Sequence, residues 1–168
     1  QEVAEMAQRS IKLNNLENRF EIINKNIKDL ESVFDKNSFD FIITNPPYKK
    51  MDTGKTNENS KKLISRHEIT ATLKDFIKIS YIMLKDKGTL YMVHKPERLV
   101  DIIYQLRKNK IEPKEIRFVH PYEKKEPNLI LIKAVKNGGQ FLKIDKPLYV
   151  YNERGEYTEE ILKIYNKM

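Results

Sequence analysis

A short apolar run, Phe39-Asp40-Phe41-Ile42-Ile43-Thr44, stops abruptly at Asn45-Pro46-Pro47-Tyr48. A near-continuous run of this length, bounded by prolines, predicts a strand covered on both faces. The patterns on either side place it in an α/β chain. Val3, Met6, Ala7 and Ile11 share one face of a helix over residues 1–15, closed by Asn14-Asn15. Phe20–Asn24 reads as a short strand, and Leu30, Val33 and Phe34 as one helical turn within the polar stretch 25–38. From Thr70 to about Lys85, Leu73, Phe76, Ile77, Ser80, Tyr81 and Leu84 recur at helical spacing, and Gly88 follows as the stop signal. Thr89–His94 is a strand. Pro96 then suits the first turn of a helix whose face is Leu99, Ile102, Ile103 and Leu106. Ile116–His120 and Leu129–Val135 read as two further strands, Leu148–Tyr151 as a tail strand and Thr158–Tyr165 as a last short helix. Such alternation predicts a mostly parallel sheet. The strands at 116–120 and 129–135 lack a helix between them, so they are expected to pair antiparallel at its edge.

Composition narrows the function classes. With 168 residues the chain is the size of one domain. It has no cysteine, which excludes a disulfide scaffold, a thiolate zinc site and a cysteine nucleophile, and fits a cytoplasmic protein. No apolar run is long enough to cross a bilayer, so no membrane partner is expected. No second ligand stands at metal spacing from any histidine, so no metal is expected. Lys and Arg exceed Asp and Glu by 32 to 24, a net charge of +8 that favours a polyanionic partner. There are five glycines, none in the first fifty residues, so neither a G-x-G-x-x-G turn nor a P-loop can be written anywhere. The sequence opens at Gln1 without an initiator Met or a signal pattern, and reads as the continuation of something.

Ligands of open α/β sheets gather at the carboxyl ends of strands, which puts Asn45-Pro46-Pro47-Tyr48 where a site belongs. These residues suit the methylation of a planar exocyclic amine. The lone pair of such an amine is delocalised into its ring and attacks poorly. The Asn45 side-chain oxygen and the Pro46 carbonyl can each accept one of the two N–H bonds, draw the nitrogen toward sp3 geometry and aim its lone pair at an electrophilic methyl. The prolines fix φ and stiffen the carbonyl. The Tyr48 ring can stack on a flat substrate, a contact worth roughly 1–3 kcal/mol per base. The alternatives are a proline-stiffened turn and a proline-rich ligand for an adaptor domain.

Asn-Pro-Pro-Tyr after a hydrophobic strand resembles the motif of amino methyltransferases with the class I, Rossmann-like, S-adenosylmethionine-dependent fold. Arg66-His67-Glu68, VHKPERLVDII at 93–103, PKEIRFVHP at 113–121, KEPN at 125–128 and EYTEEI at 156–161 resemble the bacterial tRNA adenine-N6 methyltransferases, which modify an adenine beside the anticodon of a valine tRNA. The resemblance implies one methyltransferase domain over 1–168, with a basic substrate loop at 49–69 and a tail segment at 141–168. It implies Asn45, Pro46, Pro47 and Tyr48 as catalytic residues, Asn26 and Ile27 beside the cofactor together with Asn45, and tRNA as substrate. The family's glycine-rich cofactor loop, and the acidic residue that holds the cofactor ribose, find no counterpart here. The expectation is therefore a sheet truncated at its N-terminal side, with strand 39–44 left as a bare edge and little activity in the isolated piece. Asn26 stands where the family usually has Asp; it keeps an acceptor and loses the charge, and it reads equally as a polar turn residue.

The remaining candidates divide between binding and plain structure. Lys49 and Lys50 open a basic loop that also holds Arg66 and His67. It reads as a clamp on nucleic-acid phosphates or as a solvated loop. His94 and His120 end strands and read as satisfied core or loop histidines. Tyr149 and Tyr151 read as tail packing. Three functions compete: an RNA adenine methyltransferase, a glutamine methyltransferase acting on release factors through the same four residues, and a non-catalytic nucleic-acid-binding remnant.

Overall fold

The computed structural model describes residues 2–48 and 71–166. The basic loop, with Lys49, Lys50, Arg66 and His67, lies outside the described residues. Helix α1 (Glu2–Leu13) ends where the asparagine pair stands. Asn15 adopts a left-handed φ of 54°. The Leu16 amide donates to Ile11 and the Asn15 amide to Lys12, the paired bonds of a Schellman stop. The helix buries no residue, and Val3, Met6 and Leu13 of its apolar side are exposed.

Phe20–Asn24 forms no strand. A strand needs a neighbour for its backbone groups, and no described strand lies beside this segment. A 3-10 turn over Ile27–Ser32 follows, then β1 (Phe39–Thr44). Helix α2 (Leu73–Met83) starts in a capping box: the Thr72 hydroxyl accepts from the Asp75 amide and the Asp75 carboxylate accepts from the Thr72 amide. Such a cap is worth about 1 kcal/mol. The helix ends at Met83 rather than near Lys85, and β2 (Leu84–His94) follows at once. Gly88 therefore lies inside a strand and not at a helix end. A Cβ there would come within 2.9 Å of the Lys85 carbonyl and 3.1 Å of the Asp40 carbonyl. The glycine thus permits β1 and β2 to approach where their register shifts between Phe39 and Phe41.

A 3-10 turn at Pro96–Arg98 leads into α3 (Leu99–Lys108), then β3 (Ile111–His120), β4 (Leu129–Lys136), β5 (Lys143–Ile144), β6 (Leu148–Tyr149) and α4 (Glu159–Ile164). The sheet runs β1-β2-β4-β3-β5, with β6 also on β3. β1 and β2 are parallel, while β4 lies antiparallel between β2 and β3. The expected antiparallel pair is present, but β4 enters next to β2 and pushes β3 outward. Pro113 sits in β3 next to a register shift, the kind of irregularity to which proline is confined within sheets.

Helices α2 and α3 cover one face of the sheet, over a core that includes Ile77, Leu90, Met92, Ile102, Leu106 and Ile130. The tail adds a small second cluster of Val119, Leu148 and Ile161. β1 departs from the expectation of cover on both faces: Phe41 is 60% and Ile43 72% exposed. The α2 side takes the other alternate residues of the strand, and β2 is its one described neighbour.

Candidate nucleobase-amine site

β1 and β2 run parallel with Thr44 opposite Met92. Continuing that register by two residues sets Pro46 beside His94. The two strands thus deliver the proline turn and the segment His94–Arg98 to the same end of the sheet. Pro46 is fully buried, which anchors the turn, while Asn45 on one side and Pro47 on the other are exposed. Among the described residues the Asn45 side chain makes no hydrogen bond, and no backbone N–H donates to the Pro46 carbonyl. The Asn45 acceptor is exposed, while the Pro46 carbonyl has no backbone donor but belongs to a fully buried residue.

Tyr48 is half-buried and held from three directions. The His94 ring meets it edge to face, with centroids 5.2 Å apart and planes at 67°. Lys95 Nζ lies 5.6 Å from its ring centroid. Arg98 Nη1 donates to its carbonyl at 3.2 Å. The guanidinium is itself fixed by the Asp101 carboxylate, 2.8 Å from Nε. Lys95 Nζ also donates to the Asn128 carbonyl at 3.1 Å, tying the site to the start of β4.

His94 is fully buried. Its Nδ1 accepts the Lys95 amide at 2.8 Å, and its Nε2 is buried without a partner. Burial, with the Arg98 charge acting in the same sense, pushes the imidazole below the usual histidine range. His94 is thus a core histidine with one orphan atom, not a fully satisfied one. His120 pairs through Nδ1 with the Lys125 carbonyl at 2.7 Å. Tyr149 tilts against His120, and Tyr151 stacks on Tyr157 at 5.2 Å, the tail packing anticipated from the sequence.

Asn26 caps the 3-10 turn: its side-chain oxygen accepts the Lys28 amide at 3.0 Å. This is the polar-turn role, and it leaves the second lone pair of the oxygen free of that bond. Ile27 lines an apolar cavity of about 360 Å³ with Leu30, Phe34 and Phe76, which extends along β1 to Thr44. Sequence reasoning missed Lys95 and Arg98. Their signal was position: two cations directly after the strand parallel to β1. Among the described residues, no cluster of His, Asp or Glu could hold a metal, and no helix is long and apolar enough to cross a membrane.

A mixed sheet with this strand order, carrying a proline turn at the carboxyl end of β1, is a class I methyltransferase fold. The chain belongs to the Eco57I restriction-modification methylase family, whose model matches residues 2–126. A predicted O-methyltransferase from Agrobacterium tumefaciens, protein Atu636, superposes with a TM-score of 0.77 at 20% identity, covering 99% of this chain and 74% of its own. A protein described as "a modification subunit of a putative type I restriction enzyme", from Vibrio vulnificus YJ016, superposes at 0.52 with 16% identity, covering 95% of this chain and 37% of its own. At these identities the two structures speak to the fold. No curated protein matches the sequence.

Proposed function

We propose that this chain carries the acceptor side of an S-adenosylmethionine-dependent methyltransferase acting on the exocyclic N6 amine of adenine in nucleic acid, with DNA as the first substrate to test. The single observation behind this reading is the Asn45 acceptor, exposed and without a partner among the described residues, next to the buried Pro46 and a ring that can stack. The Asn45 oxygen takes one N–H of the amine and the Pro46 carbonyl the other. The buried Pro46 ring keeps the second acceptor still. Tyr48 lies along the base. Lys95 brings positive charge to the same end of the sheet, which suits a phosphate backbone.

S-adenosylmethionine, when bound, supplies an electrophilic methyl group. The residues present fit it only in part. The apolar cavity reached by Ile27 and Thr44 suits a flat ring. Yet the Asn26 oxygen already accepts the Lys28 amide within its own turn, and the sequence holds no G-x-G turn to wrap a carboxylate.

DNA is favoured because the family is one of restriction-modification methylases. A tRNA substrate is the second reading, carried by the resemblance at Arg66–Glu68, 93–103 and 113–121; Lys49, Lys50, Arg66 and His67 would then contact RNA. Transfer of labelled methyl from S-adenosylmethionine separates these. Unmodified duplex DNA, deproteinised tRNA and a release factor are offered in parallel. Label on DNA adenine supports the proposal, label on tRNA the second reading, and label on glutamine overturns both. No label in any arm, under conditions where cofactor binding is demonstrated, also overturns them.

A further inference from the structure

We propose that His94, as a neutral imidazole protonated at Nε2, is a positioning residue that works with Arg98 to hold the Asn45–Tyr48 turn in the geometry that receives an amine. This deepens the reading above and rests on it. Nδ1 accepts the Lys95 amide at 2.8 Å and so carries no proton. In a neutral ring the proton then sits on Nε2. Nε2 is buried and meets no partner within full hydrogen-bond geometry, one of two such side-chain atoms among the described residues, the other being Gln105 Oε1; the Pro47 carbonyl, in the turn itself, is the backbone acceptor that acts on the ring. An unsatisfied buried donor is costly, and a phenylalanine would fill similar space without it. What an imidazole adds is an acceptor for Lys95, whose ammonium lies over the Tyr48 ring, and an edge against that ring.

Arg98 completes the hold from the other side. Its side chain is 15% exposed and locked by Asp101, and it donates to the Tyr48 carbonyl. The charged and titratable groups acting on the imidazole are Arg98 and Glu97, with Tyr48 and Lys95 on the turn side. An imidazolium would lose the Lys95 bond and stand beside the Arg98 cation. Neither His94 nor Arg98 is placed against substrate; both act through Tyr48 and its neighbours.

The first test needs no turnover. Two-bond 1H–15N correlation on the full chain, with His94 assigned through His94→Gln, is expected to show a neutral Nε2–H ring at pH 7. An Nδ1–H tautomer or an imidazolium at that pH overturns the proposal. In Arg98→Met, which spares the buried ring, the amide resonances of Asn45 and Tyr48 are expected to move; unmoved resonances also overturn it. Where methyl transfer is measured, His94→Phe and Arg98→Met should each lower kcat about ten- to a hundredfold, the scale of a small misplacement, with KM for nucleic acid little changed. His94→Gln, which retains an acceptor, should recover part of the loss. Normal kcat in both variants beside a dead Asn45→Ala overturns the positioning role and leaves the turn's function standing. A fully active Asn45→Ala instead overturns the function assigned to the turn.

Discussion

Lys136 Nζ lies 2.7 Å from the Leu84 carbonyl, with the Tyr81 carbonyl and Asn37 Oδ1 at the same distance. Its three donors are thus all used, 4.4 Å from the centroid of the Tyr81 ring, at a residue only 5% exposed. One ammonium joins the end of β4, the last turn of α2 and the loop before β1. Lys136→Met should therefore cost roughly 1–3 kcal/mol, the scale for leaving buried acceptors unpaired. Urea unfolding of wild type and variant measures it. An unchanged midpoint would show that water replaces the ammonium.

Asn45 is exposed and has no partner among the described residues, so its loss should touch chemistry rather than folding. Asn45→Ala is expected to lower kcat about a hundred- to a thousandfold, the range seen for deleting one preorganised hydrogen-bonding group. Nucleic-acid affinity and the circular dichroism spectrum should stay as in wild type. Asn45→Asp, which keeps an acceptor, should lose less.

The Tyr48 ring is held by its carbonyl and its edge, and the hydroxyl is not called upon. Tyr48→Phe should bind substrate normally. Tyr48→Ala should weaken binding by roughly 1–3 kcal/mol if the ring stacks on a base. Titration of each variant with an adenine-containing oligonucleotide distinguishes the two outcomes.

His94 is held below the usual histidine range by burial and by Arg98. The unfolded chain titrates it near the ordinary value of about 6.5. Between the folded and unfolded values the unfolded state binds more protons, so stability falls as pH drops below about 6.5. Urea midpoints at pH 7.5 and pH 5 should show a larger loss for wild type than for His94→Gln. Equal losses would remove His94 from the acid response.

Phe41 and Ile43 sit exposed on a sheet edge, the arrangement that invites pairing with another chain. Ile43→Lys should lower self-association while leaving the unfolding midpoint within about 0.5 kcal/mol, as expected for an exposed position. Sedimentation velocity across a concentration series reads the first, and urea titration the second.

Local chemistry made much of this fold legible. The helical spacing from Leu73 onward, the strand before Asn45, the asparagine stop of α1 and the proline start before α3 all depend on neighbours in sequence, and each stands where its pattern placed it. Phe20–Asn24 failed because its apolar residues carry no information about whether a partner strand exists. The end of α2 was misjudged because Gly88 signals backbone freedom, and the need for it came from the approach of Asp40 across the sheet. The site divides in the same way. Asn45 to Tyr48 could be named as candidates directly, since their chemistry and their adjacency are both written in the chain.

What the linear order could not disclose was which residues stand across from that turn. Parallel pairing of β1 with β2 brings His94, Lys95 and Arg98 to it from about fifty positions away. The sequence by itself determined the acceptors and the ring, because those are properties of side chains and of proline's fixed φ. Only the tertiary structure decided how they are held, because strand register, burial and the orphan nitrogen of His94 arise when distant segments share one low-dielectric space.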